Sequence, residues 1–186
     1  MAETALFWPE AFAPFERPGG GLQAREIVLT GMAVLTPRRD AAEALETAIN
    51  LGFGVALPRE LGCSSHAALR FIKTGPETWL CLKDQGADGW AAELKAKVGD
   101  LASVTDQTGA YVRVRIEGAL ARAVLQKGVF LDLDPSAFGS GAAATAAVAH
   151  INVVFWRPSA ENAYELAVPR SYIGAFRHWL ETAGSV

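Results

Sequence analysis

Apolar and polar positions along the chain follow two recognisable periods, and their order predicts the elements. The stretch from about Glu26 to Leu35 has the apolar pattern of a strand. It runs into "DAAEALETAINLG", where Asp40 is placed to cap a helix and Gly52 to end it. In "ALRFIKTGPETWLCL", Leu69 and Phe71, then Leu80 and Leu82, alternate with other residues on either side of Gly75-Pro76, the pattern of a hairpin. The next segment, "DGWAAELKAKVG", sets Trp90, Leu94 and Val98 four apart on one helical stripe, with Glu93 and Lys97 paired outside it. The first half therefore reads β-α-β-β-α.

The second half repeats that order. In "YVRVRIEG", Val112, Val114 and Ile116 face one way and Arg113 and Arg115 the other. A helix is predicted from about Gly118 to Lys127, with Leu120, Ala121, Val124 and Leu125 turned to a core and Gly128 as the left-handed residue that stops it. A long connection leads to "AHINVVFWRPSAENAYELAVP", a hairpin turning around Pro158 to Asn162, and to the helix "RSYIGAFRHWLETAG". Corresponding elements lie roughly 80 residues apart. The expected fold class is α/β of the α+β kind: two similar β-α-β-β-α halves, about 23–100 and 101–186, with antiparallel sheets in one domain, preceded by an arm over residues 1–22.

Composition narrows the function. With 186 residues, 51% hydrophobic and 20% charged, the chain is long enough to bury a sizeable core. A formal net charge of −3 supplies none of the basic excess that drives counterion release, so nucleic acid is an unsuitable partner. Two cysteines with no CxxC spacing indicate neither a disulfide framework nor a zinc knuckle, and reduced thiols suit the cytoplasm. No apolar run approaches the ~18 residues of a membrane span, and no export leader is apparent.

Candidate chemistry is sparse. "PGGGLQ" at residues 18–22 and beyond opens no helix after a strand, so it reads as a linker and not a phosphate cradle. His66, His150 and His178 are scattered without metal-ligand spacing. Cys63 stands beside Ser64, Ser65 and His66, but sequence neighbours rarely present a base to a nucleophile. If "FLDLDP" is extended, Asp132 and Asp134 share a face and Phe130 joins them; two carboxylates are too few for a hard-cation site, and Asp134 suits the cap of a turn begun by Pro135. The "ALFWPEAFAPFERP" segment is different. Phe7, Trp8, Phe12 and Phe15 interleave with prolines that forbid a regular helix, so the segment must lie on something: its own sheet, or a partner for which these four aromatics are the anchors. The strand "INVVFWR" is apolar on both faces, so Phe155 and Trp156 are either buried between layers or turned to a partner.

"SVTDQTGAYVRVRIEGALARAVLQKGVFLDLDPSAF", with "HINVVFWR" and "YELAVPRSYIGAFRHWL", resembles the gamma subunit of heterotetrameric sarcosine oxidase over residues 100–182. The resemblance implies a fold like the folate-binding domain of glycine-cleavage aminomethyltransferase, and a subunit with no cofactor, metal or catalytic residue of its own. It implies docking on a large alpha subunit carrying dinucleotide and tetrahydrofolate regions, beside a beta subunit with covalent flavin and a zinc-binding delta subunit. The complex so implied carries FAD, FMN, NAD and zinc, and oxidises sarcosine or another N-methyl amine, with the one-carbon unit going to tetrahydrofolate or leaving as formaldehyde. Two rivals stand beside it. A free-standing folate-binding or folate-dependent one-carbon transfer protein suits the fold, but "VTDQTG" offers only Asp106 as a pterin-binding acid. An RNA-binding module on a ferredoxin-like sheet would need exposed aromatics that "YVRVRIEG" lacks.

Overall fold

The structure, a computed structural model, describes residues 11–158 and 162–185. Among them β1 (Phe15–Glu16), β2 (Gln23–Glu26) and β3 (Gly31–Pro37) lead to α1 (Ala42–Phe53); β4 (Cys63–His66), β5 (Leu69–Gly75), β6 (Thr78–Lys83) and α2 (Trp90–Val98) follow. The second run is β7 (Ala102–Asp106), β8 (Tyr111–Glu117), α3 (Ala121–Gln126), β9 (Ala143–Val148), β10 (Ile151–Trp156), β11 (Ala163–Pro169) and α4 (Ile173–Gly184). One sheet has the order β4-β5-β6-β3-β7 and the other β1-β2-β8-β11-β10-β9. Both are antiparallel, as the sequence pattern requires.

The two halves are related as expected, but each has one strand more than the predicted β-α-β-β-α order, β4 in the first and β9 in the second, and they exchange strands. Starting from β4 in one sheet and β9 in the other, the two orders match strand for strand as far as β7 and β2. Here β2, which precedes β3 in the chain, pairs with β8 of the second half, while β7, which precedes β8, pairs with β3 of the first. The single strand expected from Glu26 to Leu35 is therefore two strands in different sheets. The break falls at residues 27–30, where Leu29 takes a left-handed φ of 57° that no strand can hold. Residues 11–22 are likewise part of the folded body: β1 extends the second sheet, and the glycines of "PGGGLQ" make its tight turn with positive φ at Gly19, Gly20 and Gly21.

Side-chain alternation sorts the apolar residues into four layers. One sheet turns Ala33, Leu35, Phe71, Trp79 and Cys81 to α1 and α2, packing on Leu45, Ile49, Trp90, Leu94 and Val98. Its other face brings Met32, Ile72, Leu80 and Leu82 against Val154, Trp156 and Ala167 of the second sheet. That sheet's far face, with Val112, Val114, Ile116, Phe155 and Leu166, lies under Val124, Leu125, Phe176 and Leu180 of α3 and α4. A sheet covered on both sides needs strands that are apolar on both sides, which is why "INVVFW" shows no polar face.

One charged cluster crosses the space between the sheets. Arg113, 1% exposed at its side chain, donates from Nε (2.9 Å) and Nη2 (2.6 Å) to one carboxylate oxygen of Glu165, also 1% exposed, and from Nη1 to Asp84 at the end of β6. Arg70 reaches Asp84 at 2.8 Å and Arg115 reaches the other Glu165 oxygen at 3.3 Å. The Arg113 guanidinium also lies 5.8 Å from the centre of the Trp156 ring. Burial pushes the Asp84 carboxyl up, but the hydrogen bonds and charges of Arg70 and Arg113 outweigh it and hold the group below its ordinary 3.8.

Several local expectations are corrected. Asp40 does not cap α1: it has a φ of 60°, and Ala41 occupies the cap without a side-chain bond. The helix runs past Gly52 to Phe53 and stops at Gly54, whose φ of 67° lets its N–H reach Asn50 O. Glu93 pairs with Lys83 and not with Lys97. The helix expected from Gly118 begins only at Ala121, because Gly118 has a φ of 119°. Gly128 has no left-handed backbone; it is glycine because a Cβ there would lie 2.4 Å from the Trp179 ring.

Three variants check this account. Phe12 is fully buried in the second half's core, so Phe12→Ala should destabilise the isolated chain by about 3–5 kcal/mol in chemical denaturation. Glu165→Gln leaves Arg113 charged in the interior, with an expected cost of about 3–5 kcal/mol. A lowered folded-state value for Asp84 means that its contribution is full above the ordinary value and is lost as pH falls below it. The stability gap between wild type and Asp84→Asn should thus be flat near neutrality and close only in acid.

Candidate docking surface

The described residues place the sequence-predicted groups far from any shared centre of chemistry. His66 is on β4, His150 on the β9–β10 turn and His178 on α4, all three exposed. Burial pushes the Cys63 thiol up to about 11, away from the thiolate a nucleophile needs, and drives Cys81 well above its ordinary value too. The Asp106 carboxylate accepts the Thr108 N–H at 2.8 Å, closing a turn. Among the described residues, no group of three or more His, Cys, Asp or Glu is arranged to hold a metal ion, and no helix is long and apolar enough to cross a membrane.

The predicted aromatic anchors separate. Phe12 is buried against the chain's own second sheet and helices, and the N–H groups of Ala11 and Phe12 donate to the Glu26 carboxylate at 2.6 and 2.8 Å. Phe15 is half-buried on the same core, its ring 3.6 Å from where a Cβ on Gly184 would sit. These two residues therefore serve the alternative use of the segment, as cover for its own sheet. Phe7 and Trp8 lie outside the described residues.

A different surface emerges around residues 126–132. A groove of about 710 Å³ is lined by the backbone and side chains from Gln126 to Asp132, by Ala147, Ala149 and His150 at the β9–β10 turn, and by Trp179 of α4. Three elements hold it. The turn uses left-handed φ at both Ala149 (50°) and His150 (68°), the geometry that a two-residue hairpin needs, and the Ala149 N–H donates to Gly128 O at 2.9 Å. Lys127 Nζ donates to Ala183 O at 2.8 Å, tying the loop to the end of α4. Gln126 braces the loop from inside: its amide donates to Val129 O (3.2 Å) and Leu131 O (2.6 Å), and its oxygen accepts the Leu133 N–H (3.2 Å).

On this braced loop Phe130 stands 99% exposed. Asp134 caps a turn, as one reading of the sequence expected, accepting the Ser136 N–H and hydroxyl and pairing with Arg122; Asp132 does the same one step earlier by accepting the Asp134 N–H. The sequence carried a signal for Phe130 in its parity, since alternation put this aromatic on the side of the two acids. What alternation could not supply was the absence of a covering layer.

Comparison with known proteins accounts for the geometry as a family fold. Residues 38–186 match the family described as sarcosine oxidase, gamma subunit. The chain is 33% identical over 172 residues to the sarcosine oxidase subunit gamma of Corynebacterium sp. (strain P-1), covering 89% of this chain and 81% of that one. The subunit gamma of Arthrobacter sp. is 30% identical, with 86% and 81% covered. Among solved structures, a chain of the heterotetrameric sarcosine oxidase from Corynebacterium sp. U-96, in complex with pyrrole 2-carboxylate, matches with a TM-score of 0.78 and 27% identity over 94% of this chain and 88% of that one. The glycine cleavage system aminomethyltransferase T from Bartonella henselae shares the fold, with a TM-score of 0.59 and 15% identity over 86% of this chain and 45% of its own length. The chain belongs to the sarcosine oxidase gamma subunit family.

Proposed function

We propose that this chain is the gamma subunit of a heterotetrameric, sarcosine oxidase-type flavoenzyme, a cytoplasmic assembly member without an active site of its own. Its main contact is a large alpha subunit, with a flavin-bearing beta subunit and a zinc-binding delta subunit completing the complex. The complex carries FAD, FMN, NAD and zinc. It oxidises sarcosine or a related N-methyl amine by hydride transfer to flavin, and the resulting one-carbon unit passes to tetrahydrofolate or leaves as formaldehyde. The observation that carries this reading is the match, over 94% of this chain and 88% of the other, to one chain of a heterotetrameric sarcosine oxidase. The high thiol value of Cys63 and the dispersal of the three histidines agree with a structural role. A free-standing folate protein has the aminomethyltransferase fold in its favour, yet this chain spans less than half of that enzyme.

Co-expression with the three other subunits tests the proposal. The tagged chain should co-purify with them in equimolar amounts, and sarcosine should bleach the flavin of the complex. The chain purified alone should be colourless and should not turn over sarcosine. A flavin spectrum or sarcosine oxidation in the isolated chain, or failure to recover the other subunits with it, would refute the proposal.

A further inference from the structure

Phe130 is the most exposed large apolar side chain among the described residues. Isolated exposed apolar residues are ordinary on protein surfaces, but three features set this one apart. It is aromatic, so covering it removes a large apolar area with few rotors to freeze. Its loop is fixed on both sides of the ring by the Gln126 bonds to Val129 O, Leu131 O and Leu133 N, so little ordering remains to be done when a partner arrives. It also borders the groove of about 710 Å³, whose wall includes Ala147, Ala149 and the half-buried Trp179. A ring that projects beside a recess gives a surface with both a knob and a hole. That shape suits a protein with matching relief, whereas a small ligand needs enclosure.

Charge narrows the occupant. Asp132, exposed beside Phe130, adds a carboxylate to the groove lining, while Asp134 on the same loop is paired with Arg122 and the Lys127 ammonium of the lining is held by Ala183 O. A second copy brings the same formal charge of −3 and, across a two-fold axis at Phe130, its own Phe130 and Asp132, so it offers the ring no cup and Asp132 no opposite charge. We propose that the Phe130 knob and the adjoining groove are the surface through which this chain docks on another subunit of its assembly, the partner offering an apolar cup for the ring and a basic side chain opposite Asp132. This rests on the gamma-subunit reading above. Phe130 is the central anchor, Trp179 and the β9–β10 turn form the floor, and Asp132 sets the register.

The test uses the four co-expressed subunits with the tag on this chain. Phe130→Asp, a fully exposed change, should leave the melting temperature of the isolated chain unmoved and weaken its association with the other subunits at least about tenfold, the scale of an aromatic anchor. Asp132→Lys should weaken it less and reduce its dependence on salt. Leu51→Asp, an equally solvent-facing change on α1 in the opposite outer layer, should leave association as in wild type. If wild type associates and Phe130→Asp associates equally well, this surface is not the docking site although the subunit reading stands. If wild type recovers no other subunit, both fall. If the isolated chain forms a dimer that Phe130→Asp dissolves, the occupant is a second copy and the proposal is overturned.

Discussion

The fold depends on placing a charged residue between two sheets that are otherwise packed by apolar side chains. Arg113 and Glu165 sit on the inner face of one sheet, and Asp84 is the first residue after strand β6 of the other. Taking these charges out of water is costly, and the cost is offset only while every member keeps its partners. The cluster therefore contributes less to net stability than to alignment: a shifted register would leave a guanidinium unpaired in the interior. Apolar contacts such as Leu82 against Trp156 tolerate small slides; a guanidinium bonded to carboxylates from both sheets does not.

Strand exchange has the same consequence for the backbone. Since β2 completes the sheet of the second half and β7 that of the first, neither half contains all the strands of its own sheet. The two crossing segments support each other, with the Ile27 N–H donating to Arg113 O and the Gln107 N–H to Met32 O. Burial of Phe12 fastens the start of the described chain to the far half. A molecule built this way ties its two halves together through both sheets and keeps its outer surfaces fixed.

On the proposed reading, those outer surfaces carry the function. In a family whose relatives are named as subunits of an oxidase, a rigid body with a braced loop and an exposed ring is suited to assembly. The groove beside Phe130 is formed by a helix end, a hairpin tip and a second helix, so its shape is fixed by packing in the helical layer and by Gly128, where contact with Trp179 leaves no room for a side chain.

Periodicity alone determined much of this protein. The stripe of Trp90, Leu94 and Val98 and the alternation of Val112, Val114 and Ile116 define helix and strand, and the two-sided apolar run of "INVVFW" a sandwiched strand, because the period records which way side chains turn; that the Arg113 face of β8 is also dry was not legible in it. The repeat of about 80 residues was legible for the same reason. Tertiary structure alone decided which sheet each strand joined, since the pattern of β2 or β7 specifies a dry face but not a neighbour. It also decided that Phe12 is core while Phe130 is bare, and that Gly128 answers to Trp179 some fifty residues away. Both phenylalanines are apolar residues near polar ones in the sequence; only the layer that does or does not close over each ring distinguishes them.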